Sequence, residues 1–102
     1  MANQIGERIR QLRIEQHLFL RQVAHLLKID TPMLSKIERG ERPLKREQIP
    51  VLSEILKADK NELLTIWLAD KLYDVVKDEG MALKAMQAAE DEVKKQNKKI
   101  KK

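Results

Sequence analysis

Cysteine is absent from this 102-residue chain, so neither a disulfide framework nor a thiolate metal site can form, and stability has to come from packing. Aromatic side chains are scarce as well, being limited to Phe19, Trp67 and Tyr73. Glycine and proline number three each, while Leu, Ile, Ala, Lys and Glu dominate, which favours helices over sheet. No segment approaches the roughly 20 apolar residues of a membrane span, and MANQIGERIR lacks the apolar stretch of a secretory signal. The expectation is a soluble, cytoplasmic protein, all-helical, with one compact domain plus an extension.

Catalytic features are missing too. There is no glycine-rich phosphate loop, Ser35 and Ser53 have no local base, and Glu90, Asp91 and Glu92 fan around a helix instead of converging on one point. His17 and His25 stand eight apart across a helix break, with no further His or Cys to complete a metal site. No enzymatic activity, metal or cofactor is expected.

What the chain does have is charge, unevenly spread. The net value of +5 divides into +4 over residues 1–58, −5 over residues 59–93 and +6 over residues 94–102. A basic first part attracts a phosphate backbone over a Debye length of ~8 Å, whereas the acidic middle is repelled by it. If nucleic acid is the partner, the first 58 residues face it.

Helical periodicity organises the rest. Ile5, Ile9 and Leu12 predict a first helix over about residues 3–16, and Val23, Ala24 and Leu27 a short second one over about 19–27. Asp30 is a candidate N-cap and Pro32 suits a first turn, so a third helix starts near Thr31 and ends at Gly40. Leu34 and Ile37 form its buried stripe, leaving Thr31, Pro32, Ser35, Lys36 and Arg39 outward. ERPLKR, residues 41–46, reads as a polar, basic loop, and Pro50 opens or kinks a fourth helix with Val51, Leu52, Ile55 and Leu56 on its apolar face. Asp59 and Glu62 form a capping-box variant ahead of a long fifth helix, unbroken before Gly80. Ala82, Met86, Ala89 and Val93 suggest a sixth, and the final KKQNKKIKK reads as a frayed tail.

Two short helices joined by a tight turn over residues 20–39 make a helix-turn-helix. The segment RQVAHLLKIDTPMLSKIERGERP, with its SKIERG run at Ser35–Gly40, resembles the core of the XRE family of Cro and phage-repressor-like regulators. The resemblance extends over about residues 5–68 and implies a five-helix DNA-binding domain, placed at 1–68; the chain's own pattern adds a helical extension at 69–97, expected to dimerise, and a basic tail at 98–102.

In that family the second helix of the motif enters the major groove and the first crosses the backbone. By position the base readers are then Thr31, Pro32, Ser35 and Lys36, with Arg39, Arg42, Lys45 and Arg46 on phosphates. Phe19 and Leu20 stand where a capping Ser or Thr and a phosphate-contacting Gln are usual, and Lys28 where the turn often has Gly. Arg21 and Gln22, in the first turn of the second helix, are the candidates to supply the missing phosphate contact. The resemblance also implies a bracing ion pair between Arg13 and Glu38.

The apolar stripe from Leu63 to Val76 is longer than one small domain needs. A twofold homodimer is expected through Leu64, Trp67, Leu68, Leu72, Val75 and Val76, with the sixth helix crossing over; the alternative is that the sixth helix folds back and hides the stripe within one chain. The expected function is a sequence-specific transcriptional regulator, a repressor on an inverted-repeat operator in double-stranded DNA, with no membrane partner. The alternative is a protein-interaction module, an antitoxin or adaptor, using residues 60–93.

Overall fold

A computed structural model describes the backbone of residues 3–100 and the side chains as far as Lys98. It contains six helices and, among the described residues, no strand: α1 Gln4–Glu15, α2 Leu20–Leu27, α3 Thr31–Arg39, α4 Gln48–Leu56, α5 Lys60–Val76 and α6 Ala82–Ile100. No described helix is long and apolar enough to cross a membrane.

The first five helices close around one apolar centre. Ile5, Ile9 and Leu12 of α1 meet Val23, Ala24 and Leu27 of α2, Leu34 and Ile37 of α3, Ile49, Leu52 and Leu56 of α4, and Leu63 of α5. Each large aliphatic side chain buried this way contributes about 1.5–3 kcal/mol relative to exposure. Leu44 adds a plug from inside the basic loop, and its carbonyl accepts a hydrogen bond from Trp67 Nε1 at 2.7 Å. A loop that reads as polar and basic in sequence is thereby tied to α5.

Several local expectations shift. α4 begins two residues before Pro50, which falls in its first turn, where a missing amide hydrogen has no intrahelical partner. The helix is rotated from the expected face, so that Ile49 is buried and Val51 is exposed. Asp59 caps α5 by accepting from the Asn61 amide at 2.9 Å, but Glu62 does not reach back; its carboxylate pairs with Arg8 at 3.3 Å instead. α5 stops at Val76, ahead of Gly80.

α6 differs most from expectation. It does not fold back: every side chain from Leu83 to Lys98 is exposed, and the 15.9 Å radius of gyration exceeds the ~13 Å of a compact chain this long. The stripe on α5 is therefore not hidden within one chain. The helix also carries through Lys94–Ile100, where the composition suggests a frayed tail. Braces between residues four apart support it, including Glu90 to Lys94 at 3.4 Å and Glu92 to Gln96 at 2.8 Å. Lys101 and Lys102 lie outside the described residues.

Candidate nucleic-acid interface

The helix that would enter a groove is defined sharply at both ends. Asp30 accepts from the Met33 amide at 2.8 Å, satisfying one of the donors that a helix start leaves free. At the other end Gly40 takes φ +80°, and the Glu41 amide reaches back to the Lys36 carbonyl at 2.8 Å. With Leu34 and Ile37 turned inward, Pro32, Lys36 and Arg39 are exposed and Thr31 and Ser35 partly so, all on the opposite face.

α2 is held against it by an equally tight turn. Lys28 closes α2 at φ +63°, a left-handed conformation that costs a non-glycine residue about 1 kcal/mol, and the Ile29 amide bonds the Ala24 carbonyl at 3.0 Å. The missing Ser or Thr cap at Phe19 is compensated from the other side: Gln22 Oε1 accepts from the Phe19 amide at 2.7 Å. That bond occupies the oxygen and leaves the Gln22 amide nitrogen facing outward as a donor. Phe19 itself is exposed, and the Arg21 guanidinium stacks over its ring 4.6 Å from the centroid.

Arg13 and Glu38 meet in a bidentate pair. Arg13 Nε donates to Glu38 Oε2 at 2.8 Å and Nη2 to Oε1 at 3.0 Å, while Nη1 donates to the Leu18 carbonyl at 3.0 Å. One guanidinium thus joins α1, the α1–α2 link and α3. The side chains are 12 % and 4 % exposed, so the pair is close to fully desolvated.

The cations expected at the interface, the base reader Lys36 and the four expected on phosphates, fall into two groups. Lys36, Arg42, Lys45 and Arg46 are exposed and form no ion pair among the described residues; Arg46 lies 6.0 Å from the Trp67 ring centroid. Arg39 is committed within the chain, donating to both oxygens of Glu41 at 2.9 and 3.1 Å and to the Ser35 hydroxyl. The Arg39 hydrogen bonds hold the Glu41 carboxyl below the usual carboxylate range, and those same bonds raise the guanidinium's affinity for its proton.

Residues expected on a dimer surface divide similarly. Trp67 and Leu64 are partly buried against their own core, and Lys71 Nζ covers the indole at 4.5 Å. Val76 is partly buried, whereas Leu68, Leu72 and Val75 are exposed, Val75 to 75 %.

Three structural residues escape the sequence reading. Asp70 is buried and caps α1 from α5, accepting from the Ile5 amide at 2.9 Å and the Gln4 amide at 3.3 Å. Its position seven after Leu63, on the buried side of the helix, was the available signal. Asn3 Nδ2 donates to the Glu38 carbonyl at 2.8 Å. Gly6 lets α1 approach α3: a Cβ there would come within 2.6 Å of the Ile37 carbonyl and 2.7 Å of the Glu38 carbonyl.

Comparison with known proteins agrees with this geometry. The family profile described as a helix-turn-helix domain matches residues 4–65, more than half of the chain. The chain belongs to the helix-turn-helix family, a class of DNA-binding transcriptional regulators. Two crystal structures of the clp gene regulator ClgR from Corynebacterium glutamicum share its fold. One, at 19 % identity and a TM-score of 0.58, covers 97 % of this chain and 92 % of its own. The other, at 22 % identity and a TM-score of 0.57, covers 67 % of this chain and 88 % of its own. No curated protein sequence matches.

Proposed function

We propose that this chain is a repressor that binds an inverted-repeat operator as a twofold pair, each copy laying α3 in the major groove. The observation that carries the proposal is the outward face of α3, which leaves Lys36 unpaired beside Thr31 and Pro32 and is followed at once by the free cations Arg42, Lys45 and Arg46. Lys36 donates to guanine O6 and N7, and the Thr31 methyl or Pro32 ring meets a thymine methyl. Arg42, Lys45 and Arg46 take phosphates, as do Arg21, steadied on Phe19, and the outward amide of Gln22. The acidic stretch of residues 59–93 stays away from the duplex.

Selecting bound duplexes from a random pool, then measuring anisotropy across salt concentrations, tests this directly. Lys36→Ala is expected to flatten the preference at one base position by about 1–3 kcal/mol. Affinity of the native chain should fall steeply with salt, as counterion release requires. A native chain whose binding ignores both sequence and salt would end the proposal.

The pairing is supported by what α5 and α6 leave uncovered. Leu68, Leu72, Tyr73 and Val75 on α5, with Leu83, Met86 and Val93 on α6, form much of the exposed large apolar surface. Monomeric soluble proteins rarely expose such a patch. A second copy of the chain covers it and sets the two α3 helices about 34 Å apart, one turn of DNA. Sedimentation at micromolar concentration should give twice the 11.9 kDa chain mass. A species at the chain mass would leave the faces to a different protein, the adaptor or antitoxin reading.

A further inference from the structure

Arg39 ends the helix proposed to read DNA, yet its guanidinium is already engaged. Two of its nitrogens grip the two oxygens of Glu41, and the third holds the Ser35 hydroxyl. The fork-on-fork geometry is the one an arginine uses for a phosphate. The Glu41 amide is fixed to the Lys36 carbonyl in the closure of α3, which keeps the residue's backbone beside the end of that helix. The carboxylate therefore sits at the mouth of the proposed interface, two residues past Arg39 and next to the unpaired Lys36 and Arg42. Nothing in the core needs it, since Arg39 and Glu41 are each 54 % exposed.

With α3 taken to face DNA as proposed above, we infer that Glu41 is a built-in competitor of the DNA backbone, a carboxylate that occupies the Arg39 guanidinium in the free protein and is exchanged for a phosphate on binding. The exchange breaks two charge-assisted hydrogen bonds and forms equivalent ones to the phosphate. Its effect is to subtract from backbone affinity, which every duplex shares, while leaving the Lys36 contact intact.

The test compares Glu41→Gln, Arg39→Ala and the double variant with the native chain, on the selected duplex and on a scrambled one, across salt. Glu41→Gln keeps the shape and removes the charge. It is expected to tighten binding to the scrambled duplex by about two- to fivefold at low salt, and to the selected one by a similar factor, since the Lys36 contact is unchanged. It should also steepen the salt dependence by about one phosphate contact. In the Arg39→Ala background the same change should have little effect, because no guanidinium is left to free. Weaker binding by Glu41→Gln would mean that the carboxylate positions Arg39 for DNA, and would overturn the inference. So would an equal gain with and without Arg39, which is simple charge repulsion. If the native chain shows no salt-sensitive binding at all, the DNA-reading proposal fails and takes this one with it.

Discussion

Glu38→Ala is expected to destabilise the fold by about 3–5 kcal/mol. The carboxylate is 4 % exposed and its loss strands the Nε and Nη2 donors of Arg13, itself only 12 % exposed. Removing half of a desolvated pair costs far more than the pair contributes, since the remaining charge keeps its desolvation penalty. Urea titrations followed by far-UV circular dichroism measure the change as a shift in midpoint at constant slope. DNA affinity should fall as well, because the same guanidinium fixes α3 against α1 and the α1–α2 link. Replacing both partners by Met and Leu should recover much of the loss, as apolar isosteres of buried pairs do. An unchanged midpoint in Glu38→Ala would show that the pair braces nothing.

The second large effect is expected at Gly6→Ala, and here two tendencies oppose each other. Alanine in place of glycine inside a helix gains up to about 1 kcal/mol from propensity alone. Against that, the added methyl would lie 2.6 and 2.7 Å from two backbone carbonyls of α3, which cannot rotate away as a side-chain tip can. Overpacking of this kind costs about 1–3 kcal/mol, so destabilisation wins. In a domain of this size each lost kcal/mol lowers the melting temperature by about 4–8 °C, which calorimetry resolves easily. A raised melting temperature would mean that α1 slides away from α3 at no cost. Because Gly6 and Glu38 touch the same crossing, the two substitutions should combine less than additively.

The parts of this structure legible in the sequence are those governed by nearest neighbours. Asp30, Pro32 and Gly40 bound α3 through contacts no more than a few residues away, and the spacing of Ile5, Ile9 and Leu12 is enough to define α1. The hidden parts depend on partners far along the chain. Asp70 caps a helix start 65 residues earlier, so its role exists only once α5 lies across α1. Gly6 looks like a weak point in a helix until the α3 carbonyls arrive beside it. Leu44 reads as one apolar residue in a basic loop, because nothing local shows that the loop turns over the core toward Trp67.

The interface divides along the same line. Exposure of Lys36, Arg42, Lys45 and Arg46 follows from helix period and loop position, both local properties. Capture of Arg39 by Glu41 depends on the turn at Gly40 and on which of several nearby carboxylates wins, which residue spacing does not decide. The end of α6 runs past the expected helical extension at 69–97 for a related reason: composition counts the lysines, but the four-residue steps linking Glu90 with Lys94 and Glu92 with Gln96 carry the helix toward Ile100.

Asp70 also bears on how the proposed pair would measure distance. It ties α5 to the start of α1, and Asn3 and Arg13 tie α1 to α3, so side-chain hydrogen bonds link the proposed reading helix to the proposed coupling helix through α1. Two copies joined at α5 would then behave as calipers with a set jaw width. Inserting even a few base pairs between half-sites could not be absorbed by a pliant hinge.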